Sequence, residues 1–113
     1  MELSVTEQGG ISIIKIAGDL EASNKNELSD TLDPIIDGGA KKVLFDCENL
    51  DFIDSAGLGV IVQGLTKLRK NEGSLALASV KPAIEKTIRL VKLDRFIAFF
   101  PGTNEAIKKM KEI

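Results

Sequence analysis

An α/β domain with a mixed β-sheet is the fold class this sequence predicts, and three observations carry the prediction. Short apolar runs with a period of two alternate along the chain with longer runs of helical period. Glycines at Gly9-Gly10, Gly38-Gly39 and Gly73 punctuate the junctions. At 113 residues the chain fits one domain, residues 1–113. A chain of this size buries roughly two-thirds of its unfolded surface and folds without staples.

Each element has its own justification. Leu3, Val5 and Glu7 alternate up to Gly9-Gly10, and Ile11-Ser12-Ile13-Ile14-Lys15-Ile16 alternates after it, which predicts a β-hairpin. Gly18 to Ser23 is a loop. Asn24, with Glu27 three residues on, predicts a capping box for a first helix. Leu28, Leu32, Ile35 and Ile36 carry that helix towards Gly38-Gly39. Pro34 falls inside it, so the helix is expected to bend or to end early there. Lys42 to Cys47 is a largely apolar run, as in a strand buried on both faces.

After Asp54-Ser55, the residues Leu58, Ile61, Val62, Leu65 and Leu68 form one apolar helical stripe. Lys67, Arg69 and Lys70 suit its C-terminal turns, and Gly73 stops it. Ser74 to Ala78 predicts a strand. Pro82 suits the first position of a helix whose apolar face is Ile84, Ile88 and Val91. Phe96 to Phe100 predicts a last strand, and Ala106, Ile107, Met110 and Ile113 one side of a last helix.

Composition narrows the function. The formal charge is −2, with acidic and basic residues interleaved and no basic patch, which argues against direct nucleic-acid binding. Neither Trp nor Tyr is present to stack on bases. Cys47 is the lone cysteine, so no internal disulfide forms, as suits a cytoplasmic location. The first residues lack a signal-peptide pattern, and no apolar run reaches membrane-spanning length, so no membrane insertion is expected. The chain has no histidine, which removes Ser-His-Asp and Cys-His nucleophile pairs and histidine metal sites together.

The most informative segment is Phe52-Ile53-Asp54-Ser55-Ala56-Gly57-Leu58-Gly59, where a helix starts. Backbone N–H groups there lack intrahelical partners, so a serine oxygen can cap them. The same place tolerates a phosphate, because free N–H groups and the helix dipole favour an anion. Ser55 is therefore either a plain cap or a switchable phosphoserine. Asp54 could help to position Ser55 or contact a partner, or could accept backbone N–H bonds at the turn. Gly57 and Gly59 cost helix stability relative to alanine, so close approach of a backbone or of a partner must favour them. Gly57, Gly59 and Gly64 do not space as a dinucleotide fingerprint, and Ile53 to Gly57 does not match a nucleophile elbow.

These residues carry a family resemblance. Asp54 to Gly59, with Gly18-Asp19-Leu20-Glu21, Val43-Leu44-Phe45-Asp46 and Leu90 to Phe96, resembles the STAS domain, and within it the stand-alone anti-sigma-factor antagonists. The resemblance runs nearly end to end. It implies helices mainly on one face of the sheet and phosphorylation of Ser55 by a kinase that is itself the anti-sigma factor. It implies a partner surface that joins Asp19, Glu21, Ser23 and Asn24 to Asp54, Ser55, Ala56, Gly57 and Leu58. Glu21 departs from the Asp more usual in the family. Ser23 and Asn24 are also, more simply, the cap of the first helix.

Asp46 has a turn-stabilising reading, Cys47 reads as a small core residue, and Phe96, Phe99 and Phe100 read as core. The expectation is a regulatory protein rather than an enzyme. It binds an anti-sigma factor with serine-kinase activity, and a serine phosphatase restores the binding-competent form. ATP and magnesium belong to the kinase, so no cofactor and no metal are assigned to this chain. The alternative is a STAS accessory subunit of a membrane transporter ATPase that needs no phosphoserine. A nucleotide-binding protein or an enzyme is a distant third.

Overall fold

The computed structural model of the protein describes residues 1–112. The chain runs β1 (Glu2–Gln8), β2 (Ile11–Leu20), α1 (Lys25–Asp37), β3 (Lys42–Asp46), β4 (Leu50–Ile53), α2 (Ser55–Lys70), β5 (Ser74–Ala78), α3 (Pro82–Leu90), a 3₁₀ turn (Leu93–Arg95), β6 (Ala98–Phe100) and α4 (Thr103–Lys111). Ile113, expected on the last helix, lies outside the described residues.

The predicted hairpin forms with a two-residue turn that closes Gln8 against Ile11. Gly9 and Gly10 take φ of 60° and 80°, the left-handed pair that matches the strand twist. The other pairings are parallel, and the strand order is β1-β2-β3-β5-β6, with β4 beside β2. The sheet is therefore mixed, as predicted.

Its two faces separate by the period of two. Ile14, Ile16, Val43, Phe45, Leu75 and Leu77 face the larger core, with Leu28 and Leu32 of α1, Ile61 and Leu68 of α2, and Ile84 and Ile88 of α3. Ile11, Ile13, Leu44, Ala76 and Ala78 face Ala106, Ile107 and Met110 of α4. Three helices thus cover one face and one covers the other. Val43, Leu44 and Phe45 are fully buried, as a central strand requires.

Several expectations need correction. Gly18 to Leu20 is strand, not loop. Gly18, at φ 97°, breaks the register of β2, so that Ile11–Lys15 pair with β3 while Gly18–Leu20 pair with β4. Strand β4 escapes sequence reading because it has four residues, of which only Leu50 and Ile53 are buried. The helix α1 does not end at Pro34. Burial of Ile36 (2 % exposed) fastens the last turn, and the Pro34 carbonyl still accepts from the Gly38 N–H at 2.9 Å.

In α2 the buried face is Gly57, Val60, Ile61, Gly64, Leu65 and Leu68, and Val62 is exposed. The two glycines mark this face through close packing. A Cβ on Gly64 would stand 2.5 Å from Leu32 Cδ2 of α1. A hydrophobic pattern cannot register a core position held by glycine. Val91 lies just past the end of α3 and is exposed. The last strand shortens to Ala98–Phe100. Phe96 is exposed beneath the Arg69 guanidinium, 4.9 Å from its ring centroid, rather than in the core. Phe99 and Phe100 are half-buried.

Candidate functional site

The parallel pairing of the end of β2 with β4 places two following segments side by side: the loop to α1 and the turn into α2. The Asp54 N–H donates to the Leu20 carbonyl at 3.2 Å and extends the pairing to the turn. Asp54 then uses its carboxylate twice. Oδ1 accepts from the Gly57 N–H at 2.9 Å, and Oδ2 from the Ala22 N–H of the neighbouring loop at 3.1 Å. Asp54, not Ser55, is therefore the N-cap of α2, and it holds the early loop to the helix start. These donors, the Gly57 N–H above all, hold its carboxyl below the ordinary 3.8 against a smaller opposing effect of burial.

A depressed carboxylate pKa stabilises the fold above its ordinary range, and the contribution is lost as pH falls through it. Asp54→Ala is therefore expected to melt at a lower temperature than wild type at pH 7. The gap should narrow as the pH falls below 3.8. Melting curves across that range check it, and a pH-independent gap would remove the charge from the argument.

Ser55 is the first helical residue. It is exposed, and its hydroxyl makes no hydrogen bond among the described residues. The plain-cap reading of this serine does not hold, since the aspartate before it does that work. Gly57 is also explained. A Cβ there would stand 2.7 Å from the Leu20 carbonyl oxygen and 2.9 Å from Ile53 Cγ1, so the strand itself demands glycine. At Gly59 a Cβ would meet nothing within 4 Å. No contact among the described residues requires that glycine.

The loop before α1 is tied to itself. The expected capping box is absent: Asn24 makes no side-chain cap. Its Oδ1 accepts from the Glu21 N–H at 2.9 Å, and its Nδ2 donates to the Asp19 carbonyl at 2.7 Å. Ser23 Oγ donates to Glu21 Oε1 at 2.9 Å. Closing the loop and capping the helix compete for one short side chain, and the loop takes it. Asp19, Glu21, Ser23 and Asn24 thus form a shaped edge, linked to Asp54 through Ala22, with no side-chain bond to Ser55 among the described residues.

Sequence reasoning missed the other side of Ser55. Ser55, Leu58, Gly59 and Val62 from α2, with Val91 and Leu93 from the segment after α3, line an open apolar groove of about 330 Å³. Val62 and Val91 were assigned to the core by periodicity. The available signal was Gly59, an unexplained glycine one turn into an amphipathic helix.

Cys47 is buried, and burial, then the charge of Asp46, pushes its thiol up to about 12, which suits the core residue predicted. Asp46 Oδ1 accepts from the Glu48 N–H at 3.1 Å and stabilises the turn. Among the described residues no cluster of Cys, Asp and Glu is placed to hold a metal ion, and no helix is long and apolar enough to cross a membrane.

Comparison with known proteins agrees with this geometry. Residues 2–106 match the model of the STAS domain. BtrV of Bordetella bronchiseptica, a candidate anti-sigma factor antagonist, is 30% identical over 104 residues, which span 92% of this chain and 87% of BtrV. The anti-sigma-B factor antagonist of Staphylococcus aureus is 26% identical over 103 residues, 91% of this chain and 95% of that protein. The unphosphorylated form of the anti-sigma factor antagonist SpoIIAA superposes with a TM-score of 0.82 at 20% identity, covering 99% of this chain and 100% of SpoIIAA. Its phosphorylated form, from Bacillus, gives 0.79 at 20% identity over 96% and 99%. A match along nearly the whole chain places this protein in the STAS domain family, among the anti-sigma-factor antagonists.

Proposed function

We propose that this protein binds an anti-sigma factor with serine-kinase activity, so releasing a sigma factor, and that phosphorylation of Ser55 ends the binding. One observation carries the reading. Ser55 offers an exposed, unbonded hydroxyl at the rim of an apolar groove, on a helix already capped by Asp54. A hydroxyl that is not needed by the fold is free for modification. The partner surface comprises the edge from Asp19 to Asn24 and the turn from Asp54 to Leu58. The relatives named as antagonists support the class of partner.

In the phosphorylation step, Ser55 Oγ attacks the γ-phosphorus of ATP held by the kinase. A new O–P bond forms as the bond to the bridging oxygen of ADP breaks, and the hydroxyl proton passes to a base on the kinase. Asp54 is engaged by backbone donors and is not that base. The phosphate adds about −1.5 to −2 charges at the docking surface. Hydrolysis by a serine phosphatase restores the hydroxyl. The setting is the cytoplasm. The reading as a transporter accessory subunit is weaker, because it leaves Ser55 with no role: the cap it would have supplied belongs to Asp54.

A pull-down from the native cytoplasm with wild type and Ser55→Asp as parallel baits tests the proposal. Wild type is expected to retain a kinase-type anti-sigma factor that Ser55→Asp loses. A transporter ATPase retained equally by both would overturn it.

A further inference from the structure

A phosphate on Ser55 would ordinarily be received by the free N–H groups of the helix start. Here the Asp54 carboxylate already holds the Gly57 and Ala22 donors and adds its own negative charge beside the modified side chain. The carboxylate thus takes one donor of the helix start, the Gly57 N–H, and sets a negative charge beside the phosphate that a cation across the groove would offset. Several cations of the protein are engaged. Lys67 pairs with Asp37 at 2.8 Å and with Asp33. Lys81 pairs with Asp51 at 2.6 Å, Arg89 with Glu85 and Asp94, and Arg69 lies over Phe96.

Lys92 differs. In sequence it stands between Val91 and Leu93, two residues of the segment after α3 that line the groove together with Ser55. It is exposed and has no ion pair among the described residues. Its backbone is held at φ 63°, ψ 24°, a left-handed conformation that a lysine adopts at a cost and that glycine adopts freely.

We propose that Lys92 is the cation that receives phosphoserine 55. In the phosphorylated protein its ammonium reaches across the groove to the phosphate, and its four-carbon stem lies over Leu58, Gly59 and Val62. The modification then blocks the docking surface twice, by adding charge at the rim and by covering the groove. The charges that bear on the phosphate are Asp54 from the turn and Lys92 from the segment after α3. Asp94 is held by Arg89. This inference deepens the proposed switch and rests on Ser55 being the modified residue.

The experiment installs phosphoserine at position 55 during translation, so its outcome does not depend on whether any kinase acts. The full-length phosphoprotein is compared with its Lys92→Gly and Lys92→Arg variants by ³¹P NMR titration and by methyl spectra of Val62 and Val91. Glycine suits the backbone at 92, so Lys92→Gly is expected to fold at least as stably. The second ionisation of the phosphate should rise by about half a pH unit in Lys92→Gly and stay near wild type in Lys92→Arg, as an exposed ion pair predicts. The Val62 and Val91 methyl shifts caused by phosphorylation should be lost with glycine and kept with arginine. An ionisation that is the same in wild type and Lys92→Gly would overturn the proposal. So would a change that Lys92→Arg fails to prevent, since that would mark a backbone effect rather than a charge. Failure to capture a kinase-type partner, with these shifts intact, would count against the proposed function and not against the role of Lys92.

Discussion

Phosphoserine at position 55 is expected to weaken binding of the kinase-type partner by a hundredfold or more, with no loss of fold stability, whereas Ser55→Ala keeps both binding and stability. A hundredfold corresponds to about 2.7 kcal/mol, which is within reach of a desolvated docking surface that acquires a multiply charged group. The second half of the prediction follows from the hydrogen bonds. Removing a serine that caps a helix costs about 0.5–2 kcal/mol. Ser55 supplies no cap, since the Gly57 N–H is held by Asp54 Oδ1 at 2.9 Å, so its hydroxyl can be removed without that loss. Isothermal titration with the purified partner and urea unfolding of the three forms check both halves. Tight binding by the phosphoprotein would sink the switch. A clear drop in the stability of Ser55→Ala would return the hydroxyl to a structural role.

That separation between a serine for signalling and an aspartate for structure was half legible in the sequence. The dipeptide at a helix start names both chemistries but cannot assign them, because either side chain can reach an orphan N–H. What assigns them is β4, four residues whose pairing with β2 brings the Ala22 N–H to the second oxygen of Asp54. Period-two and helical patterns revealed the hairpin, the central strands and three of the helix faces, since those features depend on one stripe of apolar residues. The patterns failed where a small residue makes the contact or where an apolar residue is left outside. Gly57 and Gly64 are buried and Val62 and Val91 are exposed, so the apolar stripe holds at Ile61, Leu65, Leu68, Ile84 and Ile88 but errs along its edge. The groove was hidden by the same error, because its walls were assigned to the core. Asn24 misled for a different reason. Its side chain suits a cap and a loop closure equally, and only the position of the Asp19 carbonyl, 2.7 Å from Nδ2, decides between them.

Two glycines on one helix turn allow the structural and the docking roles of this site to be measured apart. Gly57→Ala is expected to destabilise the fold by about 1–3 kcal/mol, even though alanine is the better helix former by about 1 kcal/mol. Its Cβ would stand 2.7 Å from the Leu20 carbonyl oxygen, which also accepts from the Asp54 N–H, so relief of the clash must displace the strand-to-helix junction. Gly59→Ala meets nothing within 4 Å and is expected to stabilise the fold by up to about 1 kcal/mol. Yet the new methyl would project from a residue that lines the groove beside Ser55, so a partner seated there loses close contact. The expected signature is a more stable protein that binds its partner less well, read by urea unfolding at constant m value and by titration calorimetry. If Gly59→Ala gains stability and keeps full affinity, the partner does not approach the groove, and the docking surface contracts to the edge between Asp19 and Asp54.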